Sequence, residues 1–161
     1  MWVKSKGVIF LIIEIPTIED FEEINKIARQ VHEIHVGWRP DIFVSVENPV
    51  EKERLQELIE NKEIYVIKEE NIIGYAIINI KEKNSHGTHF RKYLCIEVLA
   101  VDENIRGQGY GTKLLEFLKD LGRKESCTDL YLSVNEENEK AIKLYEKIGM
   151  RVKNISYSGK L

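Results

Sequence analysis

Apolar and polar residues follow two different periods along this chain, and the changes of period predict its elements. Helical spacing predicts a helix from a capping box at residues 17–20 to Gly37, and further helices over 50–60, from the loop near 110 to about Leu121, and over 138–148. Apolar runs and alternation predict strands at 8–15, 63–69, 72–80, 92–101, 129–134 and 150–158, the first of them entirely buried.

The predicted order mixes strands and helices without a break. No shift of composition, repeat or low-complexity stretch divides the chain, so residues 1–161 are expected to form one mixed α/β domain. A chain of this length can bury a substantial core.

Composition excludes several classes of protein. A hydrophobic share of 43% and a charged share of 32% are ordinary for a globular domain. The net charge of −3 gives no general attraction to nucleic acid. Glu14 interrupts the apolar run near the start, so neither a signal peptide nor a membrane span is expected. With only Cys95 and Cys127, interpreted as buried reduced thiols, the expected location is the cytoplasm.

A glycine-rich loop follows the predicted strand at 92–101. Gly107, Gly109 and Gly111 fall within five positions at the entrance of a helix, where backbone N–H groups and the helix dipole favour an anion. The dinucleotide pattern fails because its third glycine comes one residue early, and the Walker pattern fails as well. The alternative is that Gly107 completes a turn and the other two glycines allow close packing of the helix on the sheet.

Two motifs together carry a resemblance to a known family. The loop reads R-x-x-G-x-G from Arg106, and "NEKAIKLYEKIGM" at 138–150 is similar to the second motif of the GNAT superfamily, the acyl-CoA-dependent N-acetyltransferases. The resemblance implies an α/β (α+β) fold: a mixed, mostly antiparallel sheet with splayed fourth and fifth strands and helices on both faces. It also implies acetyl-CoA as cosubstrate.

The resemblance assigns cofactor contacts to three segments. The pyrophosphate would lie on the loop, at Arg106, Gly107, Gln108, Gly109, Tyr110, Gly111 and Thr112. The pantetheine arm would pair with the main chain of Leu99, Ala100 and Val101, although an ordinary buried strand explains their side chains equally well. Asn138 would contact the cofactor while also capping its helix.

The resemblance also suggests catalytic residues. Tyr145 occupies the position of the acid that protonates the leaving thiolate, with core packing as the alternative. Glu97, the only charge in "LCIEVLAV", is a candidate general base or a partner in a structural ion pair, and it shares alternation with Leu99 and Val101. In some members of the family the general base occupies the position of Ser133, but a serine there cannot act as that base.

Four histidines form two H-x-x-H pairs, at 32 and 35 and at 86 and 89. Nothing in the sequence requires the pairs to meet, and zinc sites usually add cysteine or carboxylate, so no metal is expected. In the family, the segment between the first two helices lines the acceptor pocket. His35, Trp38 and Arg39 are therefore candidate acceptor-side residues, or a solvated helix end with a packed tryptophan.

The expected function is direct transfer of the acetyl group of acetyl-CoA to a primary amine of a small molecule or peptide within a ternary complex. The alternative is a binding module that senses acetyl-CoA without turnover. The sequence does not determine the acceptor, and a polyamine, an antibiotic, an amino acid and a protein amine are all alternatives. Dimers are common among similar proteins, so a homodimer is an expectation too.

Overall fold

The computed structural model describes residues 11–159 and contains five strands and four α-helices in that range. In chain order these are β1 (Ile12–Glu14), α1 (Phe21–Trp38), α2 (Lys52–Glu60), β2 (Ile64–Lys68), β3 (Ile72–Lys83), β4 (Arg91–Val101), α3 (Tyr110–Lys124), β5 (Asp129–Leu132) and α4 (Glu139–Lys147). No helix in the described range combines the length and apolar character needed to cross a membrane.

One sheet organises these elements, with its strands in the order β1-β2-β3-β4-β5. The first four strands pair antiparallel, and β5 pairs parallel to β4. The parallel pair is joined through α3, as a parallel connection requires a crossover. The predicted mixed, mostly antiparallel sheet is therefore confirmed.

Helices cover both faces of the sheet, as predicted, and each face has its own core. On one face α1 and α2 pack on the sheet through fully buried aliphatic residues: Ile24, Ile27, Leu55, Leu58, Ile64 and Val66. On the other face α3 does the same, through Ile67, Leu94, Leu114, Leu115 and Leu118. Such full burial is worth roughly 1.5–3 kcal/mol for each side chain, so these two cores dominate the stability.

An extra residue in β4 divides that strand into two halves. Ile78 pairs with Ile96, but the preceding Ile77 pairs with Val98, so Glu97 is a β-bulge without a partner on β3. The parallel pairing of β4 with β5 ends at Ile96 and Leu132. Beyond this point β4 continues to Val101 alone on that side, which leaves the predicted splay between the fourth and fifth strands.

The connection between α1 and α2 lies along α1 as a strap, defined here as residues 39–50. Asn25, fully buried, bonds through its side-chain amide to both the N–H and the C=O of Val50 (3.0 and 2.9 Å). Arg29 donates to the carbonyl of Glu47 (2.8 Å), and His32 bonds to that of Val44 (2.7 Å). These side chains replace the partners that an irregular backbone otherwise lacks.

Four details of the sequence prediction are wrong. The described part of the first strand is an edge strand with half-buried isoleucines, not an entirely buried one, and residues 8–10 lie outside the described range. Helix α1 includes Gly37 and ends at Trp38. Cys95 and Cys127 are free but only half-buried. No strand forms over 150–158, where the alternation breaks at Asn154 and no single apolar face results.

Gly74 allows β3 and β4 to approach each other beside the splay. A Cβ there would lie 2.7 Å from the carbonyl oxygen of Ala100 and 3.0 Å from Cγ2 of Ile67. We expect Gly74→Ala to lower the free energy of unfolding by about 1–3 kcal/mol, measured by urea denaturation.

Gly37→Ala is the matched control. A Cβ at this helical position meets no atom within 4 Å, so alanine should stabilise by up to about 1 kcal/mol through helix propensity. If the two substitutions had effects of the same sign, close approach at Gly74 would not explain that glycine.

Candidate functional site

The loop between β4 and α3 owes its shape to two of its three glycines. Gly107 and Gly109 have φ of +83° and +89°, a region that other residues adopt at a cost. A Cβ at either position would meet no protein atom within 4 Å. These glycines therefore serve backbone conformation beside open space and not contact with the rest of the protein.

Gly111 lies in a different environment from the other two glycines. It lies in the first turn of α3, and a Cβ there would come 3.5 Å from Cδ2 of Leu144 and 3.9 Å from Cγ2 of Val101. These are ordinary packing distances. A Cβ would therefore be accommodated at Gly111, and close packing of the helix does not require this glycine. Gly107 and Gly109 are the glycines that shape the loop.

The loop presents unpaired backbone donors. Within the described residues, the N–H groups from Arg106 to Thr112 donate to no protein acceptor, and the first bond of α3 runs from Lys113 N to Gly109 O (3.0 Å). Gln108 and Arg106 are exposed. Together with the dipole of α3, worth about half a positive charge at its start, these donors form a cradle suited to an anion.

Asp102 anchors the loop to α1, a role that the sequence analysis missed. Its buried carboxylate accepts from Asn104 N (3.0 Å) and from Gln30 (3.4 Å), and lies 3.6 Å from Nζ of Lys26. The bond from the Asn104 backbone is the main cause that lowers the pKa of Asp102. Aspartate two positions before asparagine after a strand is the local signal that could have indicated this turn.

The open edge of β4 exposes main-chain groups next to the loop. Asp102 N donates to Ile73 O on β3 (2.9 Å), and alternation therefore directs the N–H and C=O of Leu99 and Val101 away from β3. Those of Ala100 face β3 instead. The carbonyl of Val101 accepts from Nε of Arg106 (3.0 Å), so Arg106 closes the top of this edge.

Tyr145 lies on the α3 face of the sheet. It is half-buried on α4 and packs against the same core cluster as Leu99 of β4 and Leu132 of β5, which flank the splay. Burial raises the pKa of the Tyr145 phenol above its ordinary value. Its hydroxyl is protonated across the neutral range.

Glu97 lies on the opposite face, which corrects its expected alternation. The bulge directs Leu99 to the α3 face, while Glu97 meets α2, where its carboxylate lies 3.8 Å from Arg54 and bonds to the Asn79 amide. Its side chain is 40% exposed, so it is not a charge on a buried strand. The ion pair with Arg54 is present, and the carboxylate is also solvent-accessible.

Three further residues of the expected cofactor contacts have defined local roles. Asn138 caps α4 by accepting from Ala141 N (3.2 Å), which confirms its capping role. The Tyr110 hydroxyl donates to Glu69 (2.6 Å), and this bond raises the pKa of the phenol. Thr112 lies in the first turn of α3. The Tyr110 side chain thus ties the helix start to the β2–β3 turn and leaves its N–H for the cradle.

His35, Trp38 and Arg39 lie where α1 meets the strap. The His35 ring packs edge-on against Trp38 (centroids 5.4 Å apart) and beside Phe43 (5.6 Å). Burial, with a smaller contribution from His32, lowers the pKa of His35. Arg39 makes a two-bond pair with Asp41 (2.9 and 2.8 Å). The arrangement fits a packed helix end, so these residues remain acceptor-side candidates only.

Metal ligation finds no support in this geometry. His32 and His35 are engaged as described, and His86 and His89 are exposed in the β3–β4 loop. Within residues 11–159, no three His, Cys, Asp or Glu side chains gather into a group that could hold a metal ion.

The part of the sequence that forms the cradle, the splayed strands and α4 matches a known family. Residues 27–150 match the model of the acetyltransferase (GNAT) family, which covers most of the chain. The chain belongs to the GNAT acetyltransferase family. Among relatives of this GNAT protein are the spermine/spermidine N(1)-acetyltransferase of Bacillus subtilis, 28% identical over 56% of the chain and 59% of the relative, and the glucosamine 6-phosphate N-acetyltransferase of Trypanosoma brucei brucei, 34% identical over 50% and 51%.

Solved structures extend the comparison over nearly the whole chain. A point mutant of the BH1408 protein from Bacillus halodurans superimposes with a TM-score of 0.88 at 30% identity, covering 93% of this chain and 99% of that one. The glucosamine-6-phosphate N-acetyltransferase of Arabidopsis thaliana gives 0.63 at 25% identity, over 94% and 98%. By sequence, the GNAT chain spans about half the length of the curated relatives it matches.

Proposed function

We propose that this GNAT protein transfers the acetyl group of acetyl-CoA to a primary amine. The observation that carries the proposal is the splay between β4 and β5, which we call the slot. It opens beside the cradle of unpaired N–H groups. A pyrophosphate on the cradle leaves the attached arm free to enter the slot along the unpaired edge of β4. The acetyltransferases named among the relatives act on a polyamine and on an amino sugar, which supports an amine acceptor.

The fit of acetyl-CoA to this site rests on the protein's own donors. The N–H groups of 106–112 would hold the phosphates, and the main-chain groups of Leu99 and the N–H of Val101 would bond to amide groups of the arm. When bound, acetyl-CoA supplies the acetyl group as a thioester. Asn138 lies at the start of α4, and its side chain would add a contact to the arm while capping the helix.

Two side chains on opposite faces of the sheet would manage the protons. Tyr145, on the α3 face, would donate a proton to the departing sulfur. Glu97, on the α2 face, would accept the proton of the attacking amine, directly or through water, because its carboxylate is solvent-accessible. His35, Trp38 and Arg39 would line the approach of the acceptor from the same face.

A module that binds acetyl-CoA without turnover is the competing function. It needs the cradle and the slot but not a proton donor beside the slot, and the position of Tyr145 favours the enzyme.

Substitution in the cradle tests the cofactor site. In Gly109→Ala the added methyl would point into the space proposed for the phosphates. Coenzyme A should raise the melting temperature of the parent by mass action, and this variant should lose most of that rise.

The control must share the backbone cost of the substitution. Gly87 has φ of +80° and equally open surroundings, but lies in the β3–β4 loop. Gly87→Ala should lose a similar amount of stability, since both glycines have positive φ, and keep the full response to coenzyme A. A full response in Gly109→Ala would refute the phosphate cradle.

Replacing Tyr145 by phenylalanine separates the enzyme from the binding module. The ring and its packing remain, so stability and acetyl-CoA affinity should change little. Steady-state thiol release should fall by about 10²–10⁴-fold, the usual contribution of a positioned acid. The raised pKa means that this group deprotonates only above its ordinary pKa of 10.0, so it should add no alkaline loss of activity below that pH.

Tyr65→Phe is the matched control. Tyr65 packs in the same cluster, and burial raises its pKa as well, but it lies on β2 away from the slot. Loss of the Tyr65 hydroxyl should leave the rate of turnover unchanged. Equal turnover in both variants would make Tyr145 a packing residue.

Glu97 and Arg54 form a pair whose two members can be removed separately. If Glu97 is the base, Glu97→Gln should reduce turnover most at low pH, where unassisted amines are protonated. Arg54→Gln removes the ion pair but keeps the carboxylate, so it should retain turnover. Rate profiles from pH 6 to 9 check both variants. Similar profiles for the two would assign Glu97 to the ion pair alone.

A further inference from the structure

A groove of about 390 Å³ opens on the sheet face that carries Glu97. It crosses β3, β4 and β5, and the segment after α4 forms one side of it. This volume is within the range of small-molecule sites, roughly 300–1,000 Å³. None of the roles assigned above uses the groove.

The groove is lined by cations. Lys81, Lys83, Arg91 and Lys153 contribute four positive charges to its wall. Arg91 is neutralised by a two-bond pair with Asp129 (2.7 and 3.2 Å). Within the described residues, Lys81, Lys83 and Lys153 form no ion pair, and the nearby carboxylate of Glu97 is engaged with Arg54 and Asn79.

Two tyrosines form the floor between these cations. The rings of Tyr93 and Tyr131 meet edge to face at 4.8 Å. Arg91 lies 5.5 Å from the centre of the Tyr131 ring and Nζ of Lys153 lies 3.9 Å from it. Lys153 also donates to the Tyr131 hydroxyl. Cation–π contacts and this bond hold the Lys153 ammonium on the floor of the groove, where a ligand would meet it.

The groove begins where the slot begins. Cys95 and Ser133 line it, and each adjoins a member of the last β4–β5 pair, Ile96 and Leu132. Cys95 and Glu97 are two residues apart on one strand, hence about 7 Å apart along it. One small molecule can therefore reach from Glu97 to the groove.

We propose that the groove binds the acidic group of an acceptor, so that the substrates of this enzyme are amines that also carry a phosphate or carboxylate. The inference rests on the proposed acetyl transfer and specifies its acceptor. The positive wall attracts an anion and repels a polyamine, whose several ammonium groups would meet Lys81, Lys83 and Lys153. The site is thus unsuited to spermidine, although one relative is named for that substrate.

The experiment compares amines in matched pairs that differ only in an acidic group. The pairs are glucosamine 6-phosphate and glucosamine, phosphoethanolamine and ethanolamine, and a peptide that begins Asp-Asp and one that begins Asn-Asn. Binding to the protein saturated with coenzyme A is measured by calorimetry, and acetyl transfer by thiol release. In at least one pair we expect the acidic member to bind at least tenfold more tightly at low ionic strength, with the difference falling as salt rises. The pair that responds distinguishes a small-molecule acceptor from a peptide.

Lys81→Glu reverses one charge of the groove at an exposed position of β3. It should abolish the preference for the acidic member and leave the KM for acetyl-CoA unchanged. Lys124→Glu makes the same change of charge in the last turn of α3, outside the groove, and should keep the preference.

The outcomes separate this inference from the proposed function. Two results would overturn the proposal that the groove binds an acidic group and leave the proposed acetyl transfer intact. One is acetyl transfer without preference for the acidic member of any pair, and the other is tighter binding of spermidine than of every acidic amine. Acidic preference in binding without transfer to any amine would support the groove and refute the transferase. Equal loss of preference in Lys81→Glu and Lys124→Glu would show that the preference depends only on net charge, and would overturn the proposal that the groove binds the acidic group.

Discussion

One extra residue in β4 is the constraint on which the site depends. Because Glu97 has no partner on β3, the strand bends there, and its pairing with β5 ends at the neighbouring Ile96. The bulge exchanges the faces of the residues that follow, so Glu97 and Val98 both lie toward α1 and α2. A single insertion thus opens the sheet, leaves main-chain groups unpaired at the opening and directs a carboxylate to its rim.

The opening connects two chemically different surfaces. On the α3 face, the cradle, α4 and the half-buried Tyr145 surround it with backbone donors and apolar packing. On the α2 face, the rim is polar, with the pair of Glu97 and Arg54 beside the basic groove. These surfaces adjoin at the slot, where the proposed cofactor and acceptor would meet, each bound from its own side.

The sequence predicted the parts of the site that depend on local conformation. Glycines at positive φ and the asparagine cap of α4 are local requirements of the backbone, and both were found in the predicted places. The bulge could not be predicted in the same way, because "LCIEVLAV" is apolar on both sides of Glu97 and its period is ambiguous. The groove also escaped prediction, since Lys81, Arg91 and Lys153 come together only through the pairing of β3 with β4 and the course of the chain after α4. No strand forms over 150–158, although the sequence analysis predicted one. The β-propensity of its residues was not enough, because they do not form a single apolar face.

The attachment of the loop to α1 links the two sides of the slot. Gln30 bonds through its amide to the Asp102 carboxylate and accepts from the N–H of Glu103, while the neighbouring Arg29 and His32 hold the strap. A movement of α1 toward an acceptor would therefore strain the very turn that shapes the cradle. Thermodynamic reciprocity then applies: any tightening of one substrate by the other through α1 must be returned in equal measure. Gln30 is the side chain through which such a coupling would pass.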